Sequence, residues 1–127
     1  MFYALPIDMT VAATADDERE FCHGLPGEWK IIAAYFTPAT AVTAHASNNF
    51  VASLKAGAGG TTLGSMSTDT SGGASLVKGT PTTIAISELG ATLEFGPTDA
   101  LEFAKVEGGT GAALDGCLTC VFQQVRV

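Results

Sequence analysis

Apolar and polar positions alternate along most of this chain with a period of two. Ile7, Met9 and Val11 alternate with Asp8 and Thr10, and Phe50, Ala52 and Leu54 with Val51, Ser53 and Lys55. Leu101 and Phe103 stand opposite Glu102 and Ala104. From Cys117 to Val127, Leu118, Cys120 and Phe122 hold one set of positions and Val121, Val125 and Val127 the other. Successive side chains of a strand project to opposite faces, so this is the signature of half-buried strands. Ile84 and Ile86 follow a Thr-rich lead-in and predict one more. Trp29–Phe36 is nearly continuous in apolar residues, which predicts a strand buried on both faces.

Turn-forming stretches punctuate these runs: Gly24–Gly27, Ala46–Asn49, Gly57–Gly60, Ser71–Gly73, Gly79–Pro81, Gly96–Pro97 and Gly108–Gly111. Leu63 and Met66 predict a weak strand inside the Gly/Ser/Thr-rich middle, which reads as a β-hairpin region at one end of the molecule. Helical signal is confined to single turns. The better one is Ala15–Phe21, with Thr14 as cap and Asp16, Asp17 and Glu18 in the first turn; a weaker one lies at Ile86–Gly90. The expectation is an all-β, antiparallel β-sandwich of about seven or eight strands, jelly-roll-like, with at most one short helical turn. No repeat or linker divides residues 1–127, so one domain is expected. Residues 1–14 read either as an edge strand or as an arm lying on a neighbouring subunit, with Phe2, Tyr3 and Leu5 as interface candidates.

Composition narrows the functional classes. Of 127 residues, 46% are hydrophobic and 15% charged, which suits a packed domain rather than a disordered chain. The net charge is −7, and the six basic residues are scattered. Neutralising phosphates needs clustered Lys and Arg, so nucleic acid and anionic membrane are not expected partners. A surface with few Lys and Arg and many small side chains points to an exterior covered by neighbours. The first residues lack the basic start of a signal peptide, so a soluble protein made in a cytoplasm is expected.

The candidate chemistry is thin. Cys117 and Cys120 form a C-x-x-C, but a redox pair works at a helix start, and residues three apart on a strand face opposite ways. Cys22, His23, Cys117 and Cys120 together supply the donors of a Cys₃His zinc site, yet the second C-x-x-C of a double knuckle is missing. His23 and His45 have no nucleophile elbow or triad partner in view. The glycine runs complete no phosphate loop, and Asp16–Glu20 lacks the spacing of a calcium loop. No enzyme, metal or cofactor is therefore expected.

Three segments carry a family resemblance. Asn49-Phe50-Val51-Ala52-Ser53-Leu54 has an Asn, an aromatic and then an alternating strand. Leu93 to Leu101 has a Gly-centred turn leading to a Leu-led strand. Gly109 to Leu114 reads as a closing hairpin before the last strand. Together they resemble the small β-sandwich or jelly-roll cement (decoration) proteins of tailed-bacteriophage heads, over roughly residues 25–127. The resemblance implies a structural virion protein on the outer capsid surface, made in the host cytoplasm. It would bridge neighbouring major capsid proteins and form a homo-oligomer, a trimer before a dimer. The other reading is a carbohydrate- or receptor-binding β-sandwich of a phage fibre or tail, with Tyr3 or Tyr35 as the gripping aromatics.

Overall fold

A computed structural model describes residues 1–22, 24–57 and 59–126, and all their side chains except that of Cys22. Among the described residues there are eight strands and one five-residue helix. These are β1 (Phe2–Val11), β2 (Asp17–Cys22), β3 (Glu28–Pro38), β4 (Asn49–Lys55), β5 (Thr62–Ser67), β6 (Thr82–Ile84), α1 (Glu88–Thr92), β7 (Ala100–Gly108) and β8 (Leu114–Arg126).

The pairing is nested. β1 pairs with β8, β2 with β7, β3 with β6 and β4 with β5, all antiparallel. One long hairpin, turning between β4 and β5, is in effect rolled up. Rolling lays β8 beside β3 and β7 beside β4. The result is two four-stranded sheets, β1-β8-β3-β6 (sheet A) and β2-β7-β4-β5 (sheet B). This is the jelly-roll order, and the expected β-sandwich is the fold observed. Phe2–Val11 forms the edge strand of sheet A rather than a detached arm.

The period of two dictates what fills the space between the sheets. Sheet A sends in Ile31, Phe36, Leu118 and Phe122; sheet B answers with Phe50, Leu54, Leu63 and Phe103, all at most 1% exposed. Phe36 and Phe103 meet across the gap with ring centroids 6.1 Å apart. Burying side chains of this size contributes about 1.5–3 kcal/mol each.

Three local expectations are corrected. Residues 17–21 are not a helical turn but part of β2, paired with Leu101–Lys105 of β7. An exposed edge strand needs little apolar alternation, so its acidic sequence mimicked a helix start. Trp29–Phe36 is not buried on both faces: Ile32 and Tyr35 are exposed. A bulge between Ile31 and Ala33 shifts the inward phase from Trp29 and Ile31 to Ala34 and Phe36. Two offset alternations therefore read as one continuous run. Gly109 to Leu114 does not close a hairpin, because β7 and β8 lie in different sheets. It is a turn between sheets, with Gly109 and Gly111 at φ of 61° and 70°.

One side of the sandwich is closed. The segment after β6 crosses β5: Ser87 N–H donates to the Leu63 carbonyl at 2.7 Å. A Cβ on Gly64 would stand 2.5 Å from the Ala85 carbonyl oxygen, so glycine is required for this approach. Ser87 also caps α1, its Oγ accepting from Gly90 N–H at 2.9 Å. The weaker helical signal at Ile86–Gly90 thus becomes α1, displaced by two residues.

Candidate interaction surface

The opposite side of the sandwich, between β1 and β2, is open. β1 is the edge of sheet A and β2 the edge of sheet B. Arg19 on β2 reaches across and donates from Nη1 to the Asp8 carbonyl at 2.5 Å. Asp8 O therefore points away from β8, whereas Met1 O points towards it and accepts from Gln124 N–H at 2.9 Å. By the two-residue alternation, Pro6 also faces outward, where its missing N–H costs no ladder bond. The edge is thus guarded at Pro6 and Asp8 and unguarded near Phe2 and Ala4. The predicted interface residues sit at this unguarded end. Phe2 is 64% exposed, Tyr3 is exposed and Leu5 is partly buried against the core.

The outer faces of the two sheets differ in charge. On sheet A, register sets up five rows across the strands. They run Phe2–Gln123–Lys30, Ala4–Val121–Ala33, Pro6–Thr119–Tyr35–Thr83, Asp8–Cys117–Thr37 and Thr10–Asp115. The second and third rows carry no charge; Lys30 marks one end, Asp8 and Asp115 the other. Asp115 is held in place, its carboxylate accepting from Thr10 Oγ1 at 3.0 Å and Thr40 Oγ1 at 3.4 Å. The outer face of sheet B instead presents Glu18, Glu20 and Lys55 around a buried Glu102, whose Oε2 has no hydrogen-bond partner.

The open end of the core holds a buried cation. Lys105 follows Leu101 and Phe103 on the inward face of β7 and is 1% exposed. Its Nζ donates to the carbonyls of Ala12, Ala13 and Ala15 at 2.8, 3.1 and 2.8 Å, using all three ammonium protons. It also lies 5.8 Å from the Phe50 ring centroid. Burial pushes its pKa down, against the raising effect of the Glu107 and Asp16 carboxylates. Asp16 in turn accepts from Glu107 N–H at 2.7 Å. Lys105 thereby pins the β1–β2 connection onto the end of the sandwich. Sequence reading missed it, although a charged residue in phase with Leu101 and Phe103 was the available signal.

The candidate metal residues do not assemble as a described set. Cys120 is buried in the core and Cys117 lies half-buried on the outer face, so their thiols project to opposite sides of β8. The Cys22 side chain and His23 lie outside the described residues. Among the described residues, no three His, Cys, Asp or Glu side chains are grouped to hold a metal ion. Burial raises the Cys120 pKa to about 12, with Cys117 adding to it.

His45 is exposed, in a loop cleft of about 310 Å³ that Thr40, Thr43, Asn48 and Ala112 also line. Its Nδ1 accepts from Ser47 N–H and Asn48 N–H at 3.0 and 2.9 Å, which puts the neutral ring's proton on Nε2. Asn48 Oδ1 accepts from Thr110 N–H at 3.1 Å, leaving Nδ2 as a donor. No family model, curated protein or solved structure matches this chain.

Proposed function

We propose that this protein is a structural subunit that binds other proteins through its sheet faces and edges, specifically a cement protein on the outer surface of a tailed-phage head. The observation that carries this is the outer face of sheet A. Its central rows offer uncharged side chains, small except for Tyr35, on a jelly-roll frame, in a chain whose net charge is −7. Such a face suits area burial against a neighbour better than capture of a small ligand. In this reading the subunit bridges adjacent major capsid proteins and associates with further copies of itself. Its exposed Phe2 ends the first row of the face, and exposed Met1 lies just beyond the strand. Each junction would bury on the order of 1,000 Å² or more. The test is co-sedimentation of purified protein with undecorated shells of the major capsid protein. Saturable binding and a raised shell melting temperature are expected, and failure to bind or to stabilise the shell would end the proposal.

A second reading, a carbohydrate-binding module, is favoured by the His45–Asn48 cleft rather than by Tyr3 and Tyr35. The cleft presents two preset donors to an acceptor-rich ligand. Glycan-array binding abolished by Asn48→Ala would favour it.

A further inference from the structure

Two of the three charges in the rows of sheet A's outer face, Lys30 and Asp115, are placed to pair with a second copy of the same face; the third, Asp8, stands on the edge strand β1. Lys30 stands in the first row on β3, Asp115 in the last on β8, with Tyr35 in the middle row. The first and last rows are eight residues apart on β1, about 27 Å. A two-fold axis lying in the face, across the strands at the Tyr35 row, exchanges these two ends. Lys30 of each copy then stands over Asp115 of the other, one strand spacing to the side, within reach of a lysine side chain. Phe2 falls over Thr10, the two Tyr35 rings meet at the axis, and the small row Ala4–Val121–Ala33 covers the row Asp8–Cys117–Thr37, with Asp8 over Ala4 at the edge of the face. Asp115 is already held by two threonine hydroxyls, so its carboxylate is ordered before a partner arrives.

We infer that a second copy of this chain docks on the outer face of sheet A in this isologous arrangement, forming a face-to-face dimer. Sheet B does not offer the same arrangement. Its charges lie together in adjacent rows, with Glu18, Glu20 and Glu102 around the single Lys55, so exchanging the ends of that face does not set opposite charges against each other. β1, β8 and β3 about 4.8 Å apart over about eight residues, with the three residues of β6, cover roughly 430 Å². Two copies bury roughly 850 Å², the size of a weak, transient interface. An interface of this size belongs with weak, transient associations, so the dimer is expected to form towards the upper end of the concentrations tested. It goes beyond the building role and uses the same face as the proposed shell contact, so the two associations are alternatives for that face; dimerisation is measured without shells, and either can fail alone.

Sedimentation equilibrium of the full chain between about 1 and 500 µM tests it. A monomer–dimer equilibrium is expected. Tyr35→Lys sets like charges against each other at the axis and should weaken dimerisation at least about 100-fold. Lys30→Glu should weaken it about 10-fold, and adding Asp115→Lys should restore it to within about 3-fold. Circular dichroism and melting temperature establish that each variant is folded. Tyr35 is an exposed residue, so its variant remains informative even if replacing Asp115 disturbs the Thr10 and Thr40 bonds. A monomer at every concentration, or a dimer indifferent to Tyr35→Lys, would overturn the inference.

Discussion

Replacing Lys105 with methionine tests the pinning of the β1–β2 connection. Methionine keeps the length and apolar stem but removes the ammonium. Three carbonyls, those of Ala12, Ala13 and Ala15, then lose their shared donor, and Glu107 and Asp16 lose a neighbouring cation. Breaking a buried, hydrogen-bonded charge cluster from one side costs about 3–5 kcal/mol. The lysine's lowered pKa shows that burying its charge carries a penalty, which methionine relieves. The net loss should therefore fall near 2–4 kcal/mol, a drop in melting temperature of roughly 10 °C for a chain of this size. Urea denaturation measures the stability, and amide exchange should show residues 12–16 losing protection first. The pH response supplies a second readout. The folded pKa lies below 10.5, so between the two values the unfolded chain holds more protons. This group's contribution then rises with pH across that window, and Lys105→Met should abolish the rise. A variant as stable as the parent, with residues 12–16 still protected, would refute the reasoning.

Other expectations follow from single features. Of Cys117 and Cys120, iodoacetamide should modify only Cys117 in the folded protein at pH 8, as read by peptide mass spectrometry. Because the folded Cys120 pKa is raised from 9.0 to about 12, its contribution to stability is present below pH 9 and declines as pH rises towards 12. The limiting slope is about 1.4 kcal/mol per pH unit, measurable by alkaline denaturant titration against Cys120→Ala. Gly64→Ala should destabilise by about 1–3 kcal/mol, because its Cβ meets the Ala85 backbone oxygen, and chemical denaturation measures the loss. Pro6→Thr should change stability by less than about 0.5 kcal/mol yet increase aggregation in light scattering, since it restores a donor on the open edge.

The sandwich was legible because core-facing positions obey a strict period of two. Phe50, Ala52 and Leu54, and Leu118, Cys120 and Phe122, are all 0% exposed, as their alternation requires. The same alternation separates Cys117 from Cys120, which the sequence alone had already suggested. β2 was illegible for a physical reason: its strand character comes from pairing with β7, while Asp17, Glu18, Arg19 and Glu20 remain exposed. The bulge in β3 erased the sign of its outer face, and with it the exposure of Ile32 and Tyr35. Row-by-row charge placement on sheet A depends on register between β1, β8 and β3, which local sequence does not encode. Phe2 and Tyr3 could be suspected from an apolar terminus, but not that Lys30 and Asp115 share a face with Phe2.

The nested pairing also sets the order in which the chain can fold. β1 finds its partner only in β8, and Thr10 bonds to Asp115 across 105 residues of sequence. On a ribosome the first strand must wait for the last, while the β4–β5 hairpin can close early. So many distant contacts predict slow folding, on the scale of milliseconds to seconds. Throughout that interval β1 is an apolar strand with both edges bare. The proline that guards one edge in the finished molecule therefore serves first during synthesis, as a brake on premature pairing between nascent chains.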